Sequence, residues 1–235
     1  MSAGPNGNTP ATDADIARRE RRRDRALTVT LIMQVFAMFV LRPLSEMHVV
    51  AGSVAQIFQL ALGLIAAFFV ADAGAARTTV VAVAMLAAAT NALRLSASGA
   101  VLPLLAVINF CFGIAIAWVI LNAVFGPGRV TVHRIQGAVV LYLDIALVFA
   151  QVYSELEIFF PGALSGPPRP PFGTLLYFSL STLTSTTFGD VVPLHPLARA
   201  AANFEGVLGQ MFPATLLARL VGLHLFHAAE ERASQ

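Results

Sequence analysis

The sequence contains no lysine, one cysteine and few charged residues of any kind. Charged side chains make up 12% of the 235 residues, and 57% of the residues are hydrophobic. Soluble domains carry about 25% charged residues, so this balance excludes most soluble classes and predicts an integral membrane protein. The single cysteine, Cys111, excludes an intrachain disulfide.

Signatures of catalysis are also missing. The sequence shows no nucleophile–base pair, no cysteine cluster and no phosphate-binding loop. We therefore expect a protein that is not an enzyme and has no cofactor. The formal net charge of +2 gives no reason to expect nucleic acid, because the basic cluster lies directly beside the first apolar segment.

That cluster closes a polar N-terminal stretch, residues 1–25, in which six arginines fall between Arg18 and Arg25. We interpret it as a solvated cytosolic tail that follows the positive-inside rule. A specific site for anionic lipid is the alternative.

Long apolar stretches follow the tail. Crossing the hydrocarbon core takes about 20 apolar residues. The stretches that meet this need predict six transmembrane helices, near 26–43, 48–71, 77–96, 100–125, 138–159 and 196–228. The first four form a region over 26–125. A cytosolic interfacial linker is expected at 126–137 and a short cytosolic tail at 229–235.

A different kind of segment separates the fifth and sixth helices. The loop "FFPGALSGPPRPPF" holds five prolines and leads into "FGTLLYFSLSTLT", which is apolar but too short to cross. A short apolar run of this kind indicates a re-entrant helix, here 172–184. Its C-terminal dipole end would attract a cation, and the carbonyls after it would be free to bind one. One chain supplies one such loop, so a closed pore needs an oligomer.

Orientation follows from the arginine count. With both termini cytoplasmic, ten arginines lie inside and four outside, which satisfies the positive-inside rule. This places the re-entrant helix on the outer face of what we expect to be a bacterial inner membrane.

Residues 183–190, "LTSTTFGD", make a family resemblance specific. With the helices on either side, the region 138–228 resembles the pore domain of the tetrameric potassium-channel superfamily, which implies an all-α membrane protein that assembles as a homotetramer in lipid and conducts potassium or another monovalent cation passively. The resemblance implies a selectivity filter over 185–190. The implied ion ligands are Ser185, Thr186, Thr187, Phe188 and Gly189. Filter support is expected from Thr184, Asp190, Tyr177, Phe178 and Glu205, and a gating hinge from Gly209 and Pro213.

The filter departs from the family pattern at Thr187, which stands where the family has its first glycine. That glycine has positive φ, so a threonine there either stores strain or turns its carbonyl away from the pore. Phe188 also lacks the hydroxyl of the family tyrosine, and Ser181 stands where some members carry a carboxylic acid. We expect weakened selectivity for potassium over sodium, or poor conduction.

Two further features bear on function. The fourth segment has no arginine, so a voltage sensor is not expected. The charges within the fifth and sixth segments, Asp144 and Arg219, predict an intramembrane ion pair that braces the outer and inner helices, with a gate-linked pH or ion sensor as the alternative. The alternatives to a selective channel are a nonselective or nonconducting relative, or a membrane scaffold that binds a ligand or lipid.

Overall fold

The computed structural model describes residues 27–70, 85, 102–125, 132–167 and 169–233. The regular structure of these residues is helical, apart from a single bridge between Leu164 and Pro193. The six helices are α1 (Leu27–Glu46), α2 (Gly52–Val70), α3 (Leu102–Phe125), α4 (Val132–Phe159), α5 (Phe172–Leu183) and α6 (Pro196–Ala233).

Within the described residues, two helices are long and apolar enough to cross a membrane, α1 and the Ile135–Phe159 part of α4. They support a membrane protein. The segment predicted at 77–96, apart from Met85, and the arginine-rich tail lie outside the described residues. The count of six crossings stays a prediction.

The start of α4 differs from the predicted interfacial linker at 126–137. Residues 132–137 form the first turns of α4, while 126–131 lie outside the described residues. The helix starts early because its first turns have a partner. Thr28 on α1 donates a hydrogen bond to Gln136 Oε1 at 2.6 Å, which packs this part of α4 against α1.

The C-terminal end of α1 packs against the start of α5. A π-helical stretch, Ala37–Leu41, is followed by a last α-helical turn that ends at Glu46. The guanidinium of Arg42 lies 4.6 Å from the centre of the Phe172 ring, and the Glu46 carboxylate packs against Gly173. The N-terminal region therefore contacts the re-entrant helix of its own chain.

The core forms where α4 meets α5 and α6. Three fully buried alanines on α4, Ala138, Ala146 and Ala150, have small side chains that allow neighbouring helices to approach closely. The aromatic pair Phe149–Phe204, with centroids 6.2 Å apart, lies further along α4 and earlier on α6 than the Tyr142–Phe212 pair. These two contacts show that α4 and α6 run antiparallel.

The loop after α4 is anchored by a buried carboxylate. Glu157 is 3% exposed and accepts hydrogen bonds from the backbone N–H groups of Gly162 at 3.1 Å and Leu164 at 2.7 Å. Leu164 in turn bridges to Pro193. The proline-rich loop is thereby held against the chain that follows the candidate filter.

Candidate functional site

The re-entrant helix, α5, has the position and length that the sequence suggests. It begins after Pro171, whose extended backbone leads into the first turn, and ends with Thr184 as its C-cap. Its 12 residues span about 18 Å, which is too short to cross a bilayer core of about 30 Å. The negative end of its dipole therefore lies at Thr184, where the candidate filter begins.

The segment from Thr184 to Asp190 is exposed along its whole length in the single chain. Positive φ angles recur at every second residue, with values of 57° at Ser185, 38° at Thr187 and 81° at Gly189. Alternation of right- and left-handed residues aligns successive peptide groups, with N–H groups on one side of the chain.

Backbone hydrogen bonds show which way these peptide groups point. The N–H groups of Thr186 and Thr187 both donate to the carbonyl of Ser181 in α5, at 2.8 and 3.2 Å. No peptide bond among the described residues is cis, and a trans peptide directs its C=O opposite to its N–H. The carbonyls of Ser185 and Thr186 therefore point away from α5, towards the exposed side of the segment.

Thr187 keeps the left-handed backbone that the family's glycine would have. Its φ of 38° is an outlier for a β-branched residue. Strain of this kind costs about 1–3 kcal/mol and persists only where the surroundings impose it. The hydrogen bond from its N–H to Ser181 is one such constraint.

Hydroxyl groups add oxygens at the N-terminal end of the segment. Thr184 Oγ1 and Thr186 Oγ1 lie 2.9 Å apart, and Gln210 Nε2 on α6 donates to Ser185 Oγ at 2.8 Å. Gln210 was not among the residues singled out from the sequence. In the sequence it is marked only by its position directly after Gly209, a residue expected to act as a hinge.

The C-terminal end of the segment is held by Tyr177. Its hydroxyl donates to Asp190 Oδ1 at 3.0 Å, and its ring stacks on Phe188 with centroids 6.0 Å apart. The brace expected to be missing at Ser181 and Phe188 is thus supplied in part by Tyr177.

Glu205 lies behind α5 and joins three helices. Its fully buried carboxylate accepts hydrogen bonds from Tyr153 on α4, at 2.6 Å, and from Ser179 on α5. Ser179 Oγ also lies 2.8 Å from the Ala146 carbonyl. Phe178 packs edge-on against the Tyr153 ring at 4.8 Å. Two of the residues expected to support the filter, Glu205 and Phe178, therefore contact the same tyrosine, Tyr153. Tyr177 and Asp190 form a separate pair, and Thr184 contacts neither group among the described bonds.

Gly209 packs against the last residue of α5. A Cβ at this position would overlap the carbonyl oxygen of Leu183 and lie 2.8 Å from its carbonyl carbon. The same oxygen accepts a hydrogen bond from Tyr142 at 3.0 Å. Pro213 lies inside α6 and has no N–H for the carbonyl four residues before it, which is that of Gly209. The helix continues through both residues, and a gating hinge here stays a prediction.

Asp144 and Arg219 are not brought together by the described contacts. Asp144 Oδ1 accepts from Gln34 on α1 at 3.3 Å, whereas Tyr142, on nearly the opposite face of α4, contacts Phe212 on α6. With antiparallel helices and 1.5 Å per residue, Arg219 lies about 13 Å from Asp144 along the bundle. The side chain of Arg219 lies outside the described residues, and the predicted ion pair stays untested.

Carboxylates and imidazoles do not build this site. Among the described residues, no group of three or more His, Cys, Asp or Glu side chains could hold a metal ion. The oxygens on offer at the segment are carbonyls and hydroxyls, which suit a hard monovalent cation.

The candidate site lies within a match to a protein-family model. Residues 139–223 match a family model described as "Ion channel", and the match spans most of α4, all of α5, the segment after it and most of α6. It supports an ion-channel domain of the pore-loop type in this part of the chain. Comparison with curated proteins gave no match, and comparison with solved structures also gave none.

Proposed function

We propose that the chain assembles as a homotetramer around an axial pore and conducts monovalent cations, potassium among them, passively across the bacterial inner membrane. Both termini lie in the cytoplasm in this arrangement. The observation that carries the proposal is the direction of the Ser185 and Thr186 carbonyls, which point away from α5 on an exposed segment. Four such segments would surround an ion with the oxygens that replace its hydration shell.

The exposed surface of the single chain supports the oligomer. Phe204, Val207 and Met211 follow one another at helical spacing on α6 and are each more than half exposed. Phe188, beside the segment, is 70% exposed. An apolar face of this kind, continuous with a site that one chain cannot close, fits contact with further copies around a symmetry axis.

The ion preference follows from the backbone at Thr187. Its positive φ maintains the alternation that aligns the carbonyls, but at the cost of local strain in each subunit. Tyr177 restores one brace at the outer end through Asp190. A filter with stored strain at Thr187 holds its oxygens less rigidly, so we expect the preference for potassium over sodium to be weaker than in a glycine-containing filter.

Rubidium flux into liposomes tests the proposal. Purified full-length protein should admit rubidium, and Ser185→Ala should reduce the flux because it removes a hydroxyl at the inner end of the filter. Thr215→Ala is the matched control, since that hydroxyl bonds only to carbonyls of its own helix, those of Met211 and Phe212. Failure of the wild-type protein to carry any alkali ion in liposomes would contradict conduction and favour a membrane scaffold.

A further inference from the structure

A set of buried oxygens lies between α1, α2 and α4, away from the candidate filter. Gln34 Nε2 donates to Asp144 Oδ1 at 3.3 Å, and Gln59 Nε2 donates to Gln34 Oε1 at 3.2 Å. Thr30 lies one turn before Gln34 on the same face of α1. We call Thr30, Gln34, Gln59 and Asp144 the oxygen cluster.

Three of its oxygens are fully buried and have no hydrogen-bond partner. They are Thr30 Oγ1, Gln59 Oε1 and Asp144 Oδ2. Asp144 itself is 7% exposed and Thr30 is 2% exposed. Buried polar atoms in native proteins are nearly always paired, and in a membrane interior no bulk solvent is available to pair them. Two of these oxygens belong to side chains that both bond to Gln34, and the third lies on Thr30, one turn before Gln34 on α1. Their lack of partners points to a missing positive partner.

The charge of the cluster limits what that partner can be. Its single carboxylate receives one hydrogen bond, from a neutral amide, and no described cationic side chain pairs with it. An isolated carboxylate in a low-dielectric interior is costly unless it is neutralised. A monovalent cation balances the charge of Asp144, whereas a divalent cation would leave a net positive charge buried.

We propose that the oxygen cluster binds a single alkali cation, sodium or potassium, through Asp144, Gln59 and Thr30. Carboxylate, amide and hydroxyl oxygens are the ligands that hard cations take in proteins. The site is separate from the filter and does not depend on the proposed conduction. Occupancy would tie α4 to α1 and α2 at the level of Asp144.

The site also connects to the filter through one helix. Tyr142 lies two residues before Asp144 on α4 and donates to the carbonyl of Leu183, the last residue of α5. A cation that holds α4 in place on the Asp144 side thereby holds Tyr142 against the end of α5. We expect bound cation to stabilise the arrangement that precedes the filter.

Thermal melting of the purified full-length protein tests the proposal. The protein is melted in N-methyl-D-glucamine chloride with increasing sodium, potassium or lithium chloride at constant ionic strength. Ligand that binds only the folded state raises the melting temperature with concentration. We expect Thr30→Val to raise the half-maximal concentration of the preferred ion by about tenfold or more, because loss of even an outer-shell partner costs about 10–100-fold in metal affinity. Asp144→Asn should abolish the rise in melting temperature that the oxygen cluster gives with that ion.

Thr28→Val is the matched control, because Thr28 is the same residue type on α1 and its hydroxyl already donates to Gln136. It should leave the ion dependence unchanged. Ser185→Ala distinguishes ions bound at the filter, because it should not alter the ion-dependent rise in melting temperature that Thr30→Val shifts and Asp144→Asn abolishes. If Asp144→Asn does not fold, Gln59→Leu takes its place with Asp144 intact.

Two results would overturn the proposal. One is an ion dependence that is the same in wild type, Thr30→Val and Gln59→Leu. The other is stabilisation by lower pH with no alkali-ion dependence, which would show that a proton on Asp144, and not a metal ion, neutralises the cluster.

Discussion

Replacing Gly209 by alanine should destabilise the protein by displacing the end of α5. The added Cβ would overlap the Leu183 carbonyl oxygen and lie 2.8 Å from its carbon. Favourable carbon–carbon contacts need about 3.5–4.0 Å, so one backbone must move by roughly 1 Å. Such overpacking costs about 1–3 kcal/mol, and the obstacle here is backbone that cannot rotate away. Leu183 directly precedes the candidate filter, so ion flux should fall as well.

Gly206→Ala is the matched control for this change. It lies on the same helix three residues earlier, and its nearest neighbour is the Thr182 carbonyl at 4.0 Å. Alanine is the better helix former by up to about 1 kcal/mol, so this variant should melt at or above the wild-type temperature.

The assay is thermal melting of both variants in detergent, followed by rubidium flux in liposomes. A loss of about 2 kcal/mol should lower the melting temperature of a chain of this size by roughly 4–8 °C. Equal melting of Gly209→Ala and Gly206→Ala would refute the close approach to Leu183. Normal melting with altered opening would instead assign Gly209 to gating alone.

Three further substitutions test the filter and its support. Thr187→Gly should relieve about 1–3 kcal/mol of backbone strain in each subunit. It should also raise the potassium-to-sodium permeability ratio, measured from bi-ionic reversal potentials. An unchanged ratio would show that strain at Thr187 does not weaken the preference for potassium. Tyr177→Phe deletes the hydroxyl that donates to Asp190, so the current should decay faster in bilayer recordings. Current decay at the wild-type rate would show that this hydrogen bond does not hold the filter. Glu205→Gln weakens a buried acceptor of the Tyr153 hydroxyl. It should lower the melting temperature by an amount equivalent to about 1–3 kcal/mol of unfolding free energy. A melting curve like that of wild type would mean that this buried contact contributes little to stability.

Much of the helical framework can be predicted from local sequence. Prolines 170 and 171 precede α5, and the apolar run after them has a length that suits a helix too short to cross, so its limits are predicted to within one residue. The family match over 139–223 supports the ion-channel domain that "LTSTTFGD" and its flanking helices suggested. The start of α4 was misplaced because its early turns are stabilised by Thr28, on a helix far away in sequence.

The partners of polar side chains could not be predicted in the same way. Charge alone suggests Arg219 as a partner for Asp144, and that pair stays a prediction. The bond that Asp144 accepts from Gln34, 110 residues away, has no signal in the local sequence. The sequence does not single out Gln210, yet its Nε2 donates a hydrogen bond to Ser185 Oγ from a different helix. Such contacts depend on which helices are neighbours and on how far one helix is shifted along another. A short stretch of apolar sequence specifies neither of these.

The hydrophobic segments, the short apolar helix α5 and the run of oxygens after it follow from local composition and spacing, because each depends on a few turns of chain. Resemblance to the potassium-channel superfamily adds that Thr187 stands where a glycine is usual. The positive φ of Thr187, the bond from Tyr177 to Asp190 and the contact of Gly209 with Leu183 are visible only in the folded chain. The reason is physical: these features arise where separate helices pack together, and packing selects among conformations that the local chain leaves open.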